Sequence, residues 1–190
     1  MHWSFGRSGF VESRRGLNQT LRNKITKIHL LALDVDGVLT DGKIIFDSTG
    51  KETKIFDVQD GFALIIFKRA GFKTAIITAR DSKVVHLRAK DLNIDKTYVD
   101  AFPKLLAYEK LLKHFRLKDE QVCFVGDDLP DVQVLKRAGF AVAVKNACRE
   151  VKNVADYVTK AQGGAGAIRE VVELILEMRG QWRKIIVQYT

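Results

Sequence analysis

The sequence predicts an α/β fold: a single Rossmann-like three-layer α/β/α domain with a parallel sheet, a β-hairpin flap and no cap domain. Two observations support this prediction. Short apolar runs that end in turn residues alternate with longer segments of helical periodicity, which is typical of a parallel sheet wrapped by helices. The 190 residues, 46% of them hydrophobic, suffice for one such domain with a substantial core.

The first half of the chain divides into elements at its turn residues. In order, we predict a basic leader at 1–24, a buried strand at 28–34, a hairpin at 43–57, a helix at 60–70, a strand at 73–78, a helix at 81–92 and a strand at 97–99. The hairpin follows from two short β-branched and aromatic runs around Gly50. Gly71 ends the first helix, and Asp81 or Ser82 can cap the second.

The second half repeats the same alternation. We predict a helix at 103–115, a strand at 121–125, a helix from 130 to about 139, a strand at 140–144, a short helix at 149–154, a small strand near Tyr157 and a helix at 167–178. Pro103 and Pro130 each suit a first helical turn. The domain therefore covers 25–180, and a tail at 181–190 can dock on the body or reach a neighbouring subunit.

The predicted hairpin has an unusual distribution of apolar residues, which do not keep to one face: Ile44, Ile45, Phe46, Ile55 and Phe56. A lone two-stranded hairpin is marginally stable in water. We therefore expect it to lie against the body of the domain or against another subunit.

Composition argues against several function classes. The net charge is +9, but the basic residues are scattered over the predicted helices without a dense block, so we expect no nucleic-acid partner. No apolar run approaches the roughly 20 residues of a membrane span, so we expect no membrane partner either. Cys123 and Cys148 have no zinc-like or disulfide-framework spacing. A reducing cytoplasm is the simplest setting for the protein.

Polar side chains follow the ends of four predicted strands, where an open α/β sheet assembles its ligand site. They are Asp34 with Asp36, Thr78 with Arg80, Lys104, and Asp127 with Asp128 and Asp131. Singly, each could be a turn, cap or surface residue. Together, three or more carboxylates at one rim would repel one another unless a hard divalent cation lay among them. The sequence therefore predicts a Mg²⁺ site at this edge.

In order and spacing, these residues resemble the four motifs of the haloacid dehalogenase-like phosphohydrolases. Finer cues lie in three segments, 36–42, 56–61 and 163–170. They resemble the capless branch that hydrolyses 3-deoxy-D-manno-octulosonate 8-phosphate (KDO 8-phosphate), a sugar-acid phosphate of lipopolysaccharide precursor synthesis. The resemblance implies a Mg²⁺-dependent phosphatase that acts on a small anionic phosphorylated sugar acid and assembles as a homotetramer.

The resemblance also implies a role for each residue. Asp34 would attack phosphorus, and Asp36 would protonate the leaving hydroxyl and later activate water. Mg²⁺ would be held by Asp34, the backbone carbonyl of Asp36 and Asp127, supported by Asp128 or Asp131. The residues expected to hold the phosphoryl group are Thr78 and Lys104, and those expected to contact substrate are Asp57, Val58, Gln59, Asp60, Gly61, Arg80, Arg88 and again Lys104.

The chain departs from the pattern of that branch at four positions: Ala63, Ile65, Ala79 and Ala165. In that branch, position 65 usually carries a basic residue and position 165 often an arginine. This chain therefore lacks two cationic side chains that could bind a carboxylate or phosphate. Two alternatives therefore stand beside the KDO 8-phosphate reading. One is a phosphatase for a nine-carbon sialic-acid-type phosphate or for broader phosphomonoesters. The other is a non-catalytic, oligomer-forming domain of the same fold, which the retained acid cluster disfavours.

Overall fold

The computed structural model describes residues 19–189, and it contains eight strands within that range. They are β1 (Leu30–Leu33), β2 (Ile45–Phe46), β3 (Glu52–Thr53), β4 (Lys73–Ile77), β5 (Lys96–Tyr98), β6 (Val122–Gly126), β7 (Phe140–Ala143) and β8 (Tyr157–Val158). Six of them form one parallel sheet in the order β5-β4-β1-β6-β7-β8, and β2 pairs with β3 in a separate antiparallel ribbon. This confirms the predicted α/β class.

Eight α-helices connect or flank these strands in the described part of the chain. They are α1 (Gln19–Thr26), α2 (Val58–Arg69), α3 (Lys83–Asp91), α4 (Lys104–Phe115), α5 (Val132–Leu135), α6 (Arg149–Val154), α7 (Ala167–Met178) and α8 (Trp182–Ile186), and short 3-10 helices occupy Asp119–Gln121 and Leu129–Asp131. All four residues of β1 are buried, as a central parallel strand covered on both faces requires. No helix within residues 19–189 has both the length and the apolar character needed to cross a membrane.

Two of the predicted helices differ from the structure for identifiable reasons. Helix α2 begins at Val58 rather than at residue 60, because the Asp57 side chain caps it by accepting the Asp60 amide at 2.9 Å. The helix expected from 130 to about 139 is instead the 3-10 turn followed by the four-residue α5. Helix α1 includes the last six residues of the predicted leader, and the other leader residues, 1–18, lie outside the described part of the chain.

The C-terminal tail packs on the body of its own chain, one of the two positions expected for it. Trp182 is only 7% exposed, and the Arg169 guanidinium lies 5.1 Å above its ring. The Tyr189 ring meets Phe62 edge-on at 5.7 Å, and its hydroxyl accepts a 3.2 Å hydrogen bond from Arg69.

The hairpin has one side toward the domain and one side toward solvent. From Lys51 to Phe56 burial alternates along the chain, so that Glu52, Lys54 and Phe56 face inward and Ile55 faces outward. Ile55 is 69% exposed and Phe46 57% exposed. The outer side is therefore an apolar surface that residues 19–189 leave uncovered.

Candidate active site

Parallel pairing brings the first acid to the middle of the sheet edge. Leu33, the last residue of β1, pairs with Ile76 on one side and Val125 on the other. Asp34 continues that strand and donates its backbone amide to the Val125 carbonyl at 3.1 Å. Its side chain therefore leaves the sheet between the carboxyl ends of β4 and β6, where ligands bind in open α/β sheets.

A buried lysine lies between two of the predicted acids. The Lys104 Nζ is 2.9 Å from Asp34 Oδ1 and 2.6 Å from Asp131 Oδ1, and all three side chains are almost inaccessible to solvent. Lys104 begins α4, so the loop after β5 delivers it to the site. The structure thus brings together three residues that are 27 or more positions apart in the sequence.

Asp131 and Asp128 have different positions. Asp131 is fully buried, and its second oxygen accepts the Asp127 amide at 2.9 Å. Asp128 is exposed, and its carboxylate accepts the neighbouring Leu129 amide at 2.8 Å. Of these two candidates for supporting a metal, Asp131 is the one built into the cluster.

The cluster has the donor set of a magnesium site. Asp34, Asp127 and Asp131 each place a carboxylate oxygen within 4.8 Å of the others. Asp127 Oδ1 is buried, and no hydrogen-bond partner for it exists among residues 19–189. A buried acceptor without a partner is costly, and carboxylate oxygens are the ligands that Mg²⁺ prefers. These residues therefore fit the cation.

The protonation behaviour of the cluster reflects crowded negative charge. Burial, followed by repulsion from Asp34 and Asp131, raises the pKa of Asp127 to about 8. Burial and the Asp131 charge raise the pKa of Asp34 to about 6, although Lys104 opposes the shift. Burial alone would lower the pKa of Lys104, but attraction to Asp34 and Asp131 raises it, so the ammonium stays charged.

We expect Mg²⁺ binding to tighten about ten- to hundredfold between pH 6 and pH 8, because the cation must displace protons from Asp34 and Asp127. The folded pKa values lie above the ordinary ones, so these groups stabilise the metal-free fold at low pH and that contribution is lost as pH rises through about 6 and about 8. Thermal denaturation with and without Mg²⁺ at both pH values measures the effect. Equal stabilisation by Mg²⁺ at both would contradict it, and Asp127→Asn should flatten the dependence.

Gly37 lets the loop after β1 approach the metal cluster. Its φ is +88°, and a Cβ at this position would lie 2.0 Å from Asp127 Oδ2. The neighbouring glycine-rich segment is equally close, since a Cβ on Gly163 would lie 1.7 Å from the Gly37 carbonyl oxygen. These two loops therefore pack backbone against backbone beside Asp127.

Gly37→Ala is expected to weaken Mg²⁺ binding and to lower turnover by about 100-fold or more, because the methyl group displaces the Asp127 carboxylate. Gly50→Ala is the matched control. Gly50 also has a positive φ, +80°, but nothing lies within 4 Å of its added Cβ. Calorimetric titration with Mg²⁺ separates the two variants, and equal loss in both would show that backbone strain alone is responsible.

Thr78, Arg80 and Asp36 lie around the same strand ends. Thr78 directly follows β4, is 2% exposed and donates its backbone amide to the Tyr98 carbonyl at 3.0 Å. Arg80 Nη1 is 3.9 Å from Asp36 Oδ2, is itself buried, and has no hydrogen-bond partner in the described chain. Among residues 19–189, the site therefore contains a guanidinium nitrogen of Arg80 and a carboxylate oxygen of Asp127 that lack hydrogen-bond partners, as a site for a phosphate with a bound cation would require.

Sequence reasoning missed two charged hairpin residues that contact the site, Lys54 and Glu52. Lys54 Nζ contacts Asp36 Oδ1 at 2.5 Å and Glu52 Oε1 at 3.2 Å. Burial alone would raise the pKa of Glu52, but hydrogen bonds from Ser82 and Lys54 and the charges of Lys54 and Arg80 lower it. The signal was present: residues 52, 54 and 56 share one face of an extended strand.

The segment predicted to contact substrate is partly engaged in local structure. Asp60 is buried and accepts the Arg169 amide at 2.8 Å and the Gly166 amide at 3.2 Å, so it caps α7. Asp57 caps α2, while Val58 and Gln59 are exposed. The Arg88 side chain packs against Gly61 and Phe56 and donates to the Asp57 carbonyl at 3.3 Å. This arrangement links the hairpin, α2 and α3.

Comparison with known proteins gives a consistent picture. The haloacid dehalogenase-like hydrolase family matches residues 100–171. The KDO 8-phosphate phosphatase of Escherichia coli is 42% identical over 158 residues, which cover 83% of this chain and 84% of that protein. The crystal structure of the Moraxella catarrhalis enzyme, in complex with magnesium, phosphate and KDO, aligns with a TM-score of 0.88 and 42% identity over 90% of this chain and 98% of that one. The cobalt-bound Haemophilus influenzae phosphatase aligns with a TM-score of 0.81 and 34% identity over 84% and 93%.

Proposed function

The chain belongs to the haloacid dehalogenase-like hydrolases, in the branch of the KDO 8-phosphate phosphatases, and we propose that it hydrolyses KDO 8-phosphate to KDO and inorganic phosphate. The observation that carries this proposal is the Lys104 ammonium held between Asp34 and Asp131 beside the unpaired Asp127 oxygen. A scaffold protein gains nothing from such a repulsive cluster. A phosphatase needs it to bind a cation and a dianionic phosphate together.

Asp34 and Asp36 have different roles in the proposed reaction. Asp34 attacks phosphorus, the ester P–O bond breaks, and the leaving sugar oxygen takes a proton from Asp36. A water molecule then attacks the aspartyl phosphate, gives its proton to Asp36, and releases phosphate. Lys104 also keeps Asp34 ionised against the effect of burial, so that the carboxylate is a nucleophile near neutral pH.

The remaining residues stabilise the transferring group. Asp34, Asp127 and the backbone carbonyl of Asp36 would hold Mg²⁺, with Asp131 as support rather than the exposed Asp128. When bound, the cation neutralises phosphoryl oxygens and the acid cluster. Thr78 and Lys104 donate hydrogen bonds to the same oxygens. We infer that Arg80 binds an anionic group of the substrate, which is supported by its Nη1, an atom without a hydrogen-bond partner among residues 19–189.

A substrate screen tests this function. KDO 8-phosphate, nine-carbon sialic-acid-type 9-phosphates and simple hexose phosphates are compared by phosphate release with Mg²⁺. We expect kcat/KM for KDO 8-phosphate to exceed that for the nine-carbon esters by at least about tenfold, the effect of a few well-placed contacts. A higher kcat/KM for a nine-carbon ester would instead support the alternative, a phosphatase for sialic-acid-type phosphates. No hydrolysis of any ester would favour the non-catalytic one.

We further propose a cytoplasmic homotetramer in which the hairpin lies at subunit interfaces. The exposed outer side chains of the hairpin support this, and the two cysteines are free, as in a reducing compartment. The proposed organisation is a domain at 25–180 between the leader and the tail.

Light scattering is expected to give four times the 21.5 kDa chain mass. Ile55→Lys should dissociate the assembly, because it places charge on the uncovered apolar side of the hairpin. Leu87→Lys is the matched control, an equally simple change at a 59% exposed leucine on α3. A monomeric unmodified chain would contradict the proposal.

A further inference from the structure

Lys54 is a buried lysine that the mechanism above does not use. Its side chain is 0% exposed although it belongs to a hairpin whose paired strands are only two residues long. Burying an ammonium is costly unless it is paired and hydrogen-bonded, and a short hairpin contributes little to cover that cost. The contacts of Lys54 therefore explain its position.

Those contacts form a bridge from the hairpin to the proposed acid/base residue. Glu52 is anchored on the body by Arg80 Nη2 at 3.0 Å and by the Ser82 hydroxyl. Lys54 Nζ binds Glu52 Oε1 on one side and Asp36 Oδ1 on the other. The anchored Glu52 fixes the lysine, and the lysine fixes one oxygen of Asp36.

The consequence for Asp36 is geometric. Its side chain is 20% exposed and follows the strand end, where a free aspartate can rotate about χ1. With Oδ1 held by Lys54, Oδ2 remains for proton exchange. A general acid must lie within hydrogen-bond reach of the leaving oxygen, and a misplacement of about 1 Å can lower the rate about 100-fold.

We propose that Lys54 is a positioning residue that holds the Asp36 carboxylate in the orientation from which it protonates the leaving oxygen. This rests on the proposed phosphatase function. It gives the inner face of the hairpin a role in the chemistry, separate from the role of its outer face in assembly.

The test compares two esters by kcat/KM, which reports the steps through departure of the leaving group. The leaving group of KDO 8-phosphate is a sugar alkoxide, which needs a proton from the general acid. The leaving group of p-nitrophenyl phosphate is a stable phenolate, which does not need one. Lys54→Met should lower kcat/KM for KDO 8-phosphate about ten- to hundredfold and for p-nitrophenyl phosphate less than about threefold. Lys54→Arg should restore part of the difference. Lys51→Met removes an exposed lysine from the same hairpin and should change neither value.

A double-mutant cycle shows whether Lys54 acts through Asp36. In the Asp36→Asn background, Lys54→Met should cause no further loss with KDO 8-phosphate. Equal losses on both esters, or full additivity with Asp36→Asn, would overturn the proposal and leave Lys54 as an anchor of the hairpin.

The outcome is distinguishable from failure of the proposed function. If the unmodified protein prefers a nine-carbon sugar-acid phosphate, the substrate assignment fails. The role of Lys54 is then tested in the same way, by comparing that alkyl ester with p-nitrophenyl phosphate. If the unmodified protein hydrolyses neither class of ester, both proposals fall.

Discussion

Asp34→Asn is expected to lower hydrolysis of every phosphomonoester by at least about 10⁴-fold, because the amide cannot attack phosphorus. The fold should survive. Asn has the same shape, and Lys104 keeps its partner Asp131. Since the folded pKa of Asp34 is raised, its ionised form costs stability above about pH 6, and the variant should be at least as stable as the parent at pH 8.

Steady-state kinetics and thermal denaturation on the same preparation measure both parts of this prediction. Asp81→Asn is the control, since Asp81 is an exposed carboxylate that pairs with His86 on the surface. If Asp34→Asn hydrolysed a generic phosphomonoester at the parent rate, the aspartyl-phosphate mechanism would be wrong.

Lys104→Met is expected to damage both function and stability. Loss of one preorganised donor to the phosphoryl oxygens should lower kcat about 10²- to 10³-fold. Asp34 and Asp131 would also be left buried without their shared cation, which costs about 3–5 kcal/mol when both are ionised. Protonation of Asp34, whose pKa burial raises to about 6, relieves the repulsion, so the loss of stability should be large at pH 8 and smaller at pH 5.

Urea denaturation at the two pH values measures this loss, and added Mg²⁺ should recover part of it. Lys110→Met is the matched control because Lys110 is exposed on the same helix. A variant as stable as the parent at pH 8 would show that Lys104 is not the counter-charge of the cluster.

The acidic residues of the site, Lys104, and the helices whose ends are marked by turn or capping residues could be predicted from the sequence. Helices α6 and α7 have the predicted bounds, and α7 is preceded by Gly166 at a φ of +96°, which marks its start. The prediction of one continuous helix after Pro130 was wrong. Asp131 binds Lys104 and the Asp127 amide, and tertiary contacts of this kind outweigh helical periodicity.

Lys54 and Glu52 were missed for a different reason. The hairpin was read by its apolar residues, and a charged residue at positions 52 and 54 of such a ribbon is ordinarily exposed. Strand alternation puts residues 52, 54 and 56 on one face, but the positions of Arg80 and Asp36 are needed to show that this face points inward. The same limit applies to Asp60, whose contact with the Arg169 amide spans 109 residues.

The two-sided hairpin has a consequence for how this protein tolerates insertions and deletions. Because side chains alternate along an extended strand, one residue added or removed between Lys51 and Lys54 would turn Lys54 outward and bring Thr53 or Ile55 toward Asp36. A change of two residues would keep the Lys54 side chain on the inner face of the strand and alter only its distance from Asp36. Variation in the length of this strand should therefore occur in steps of two.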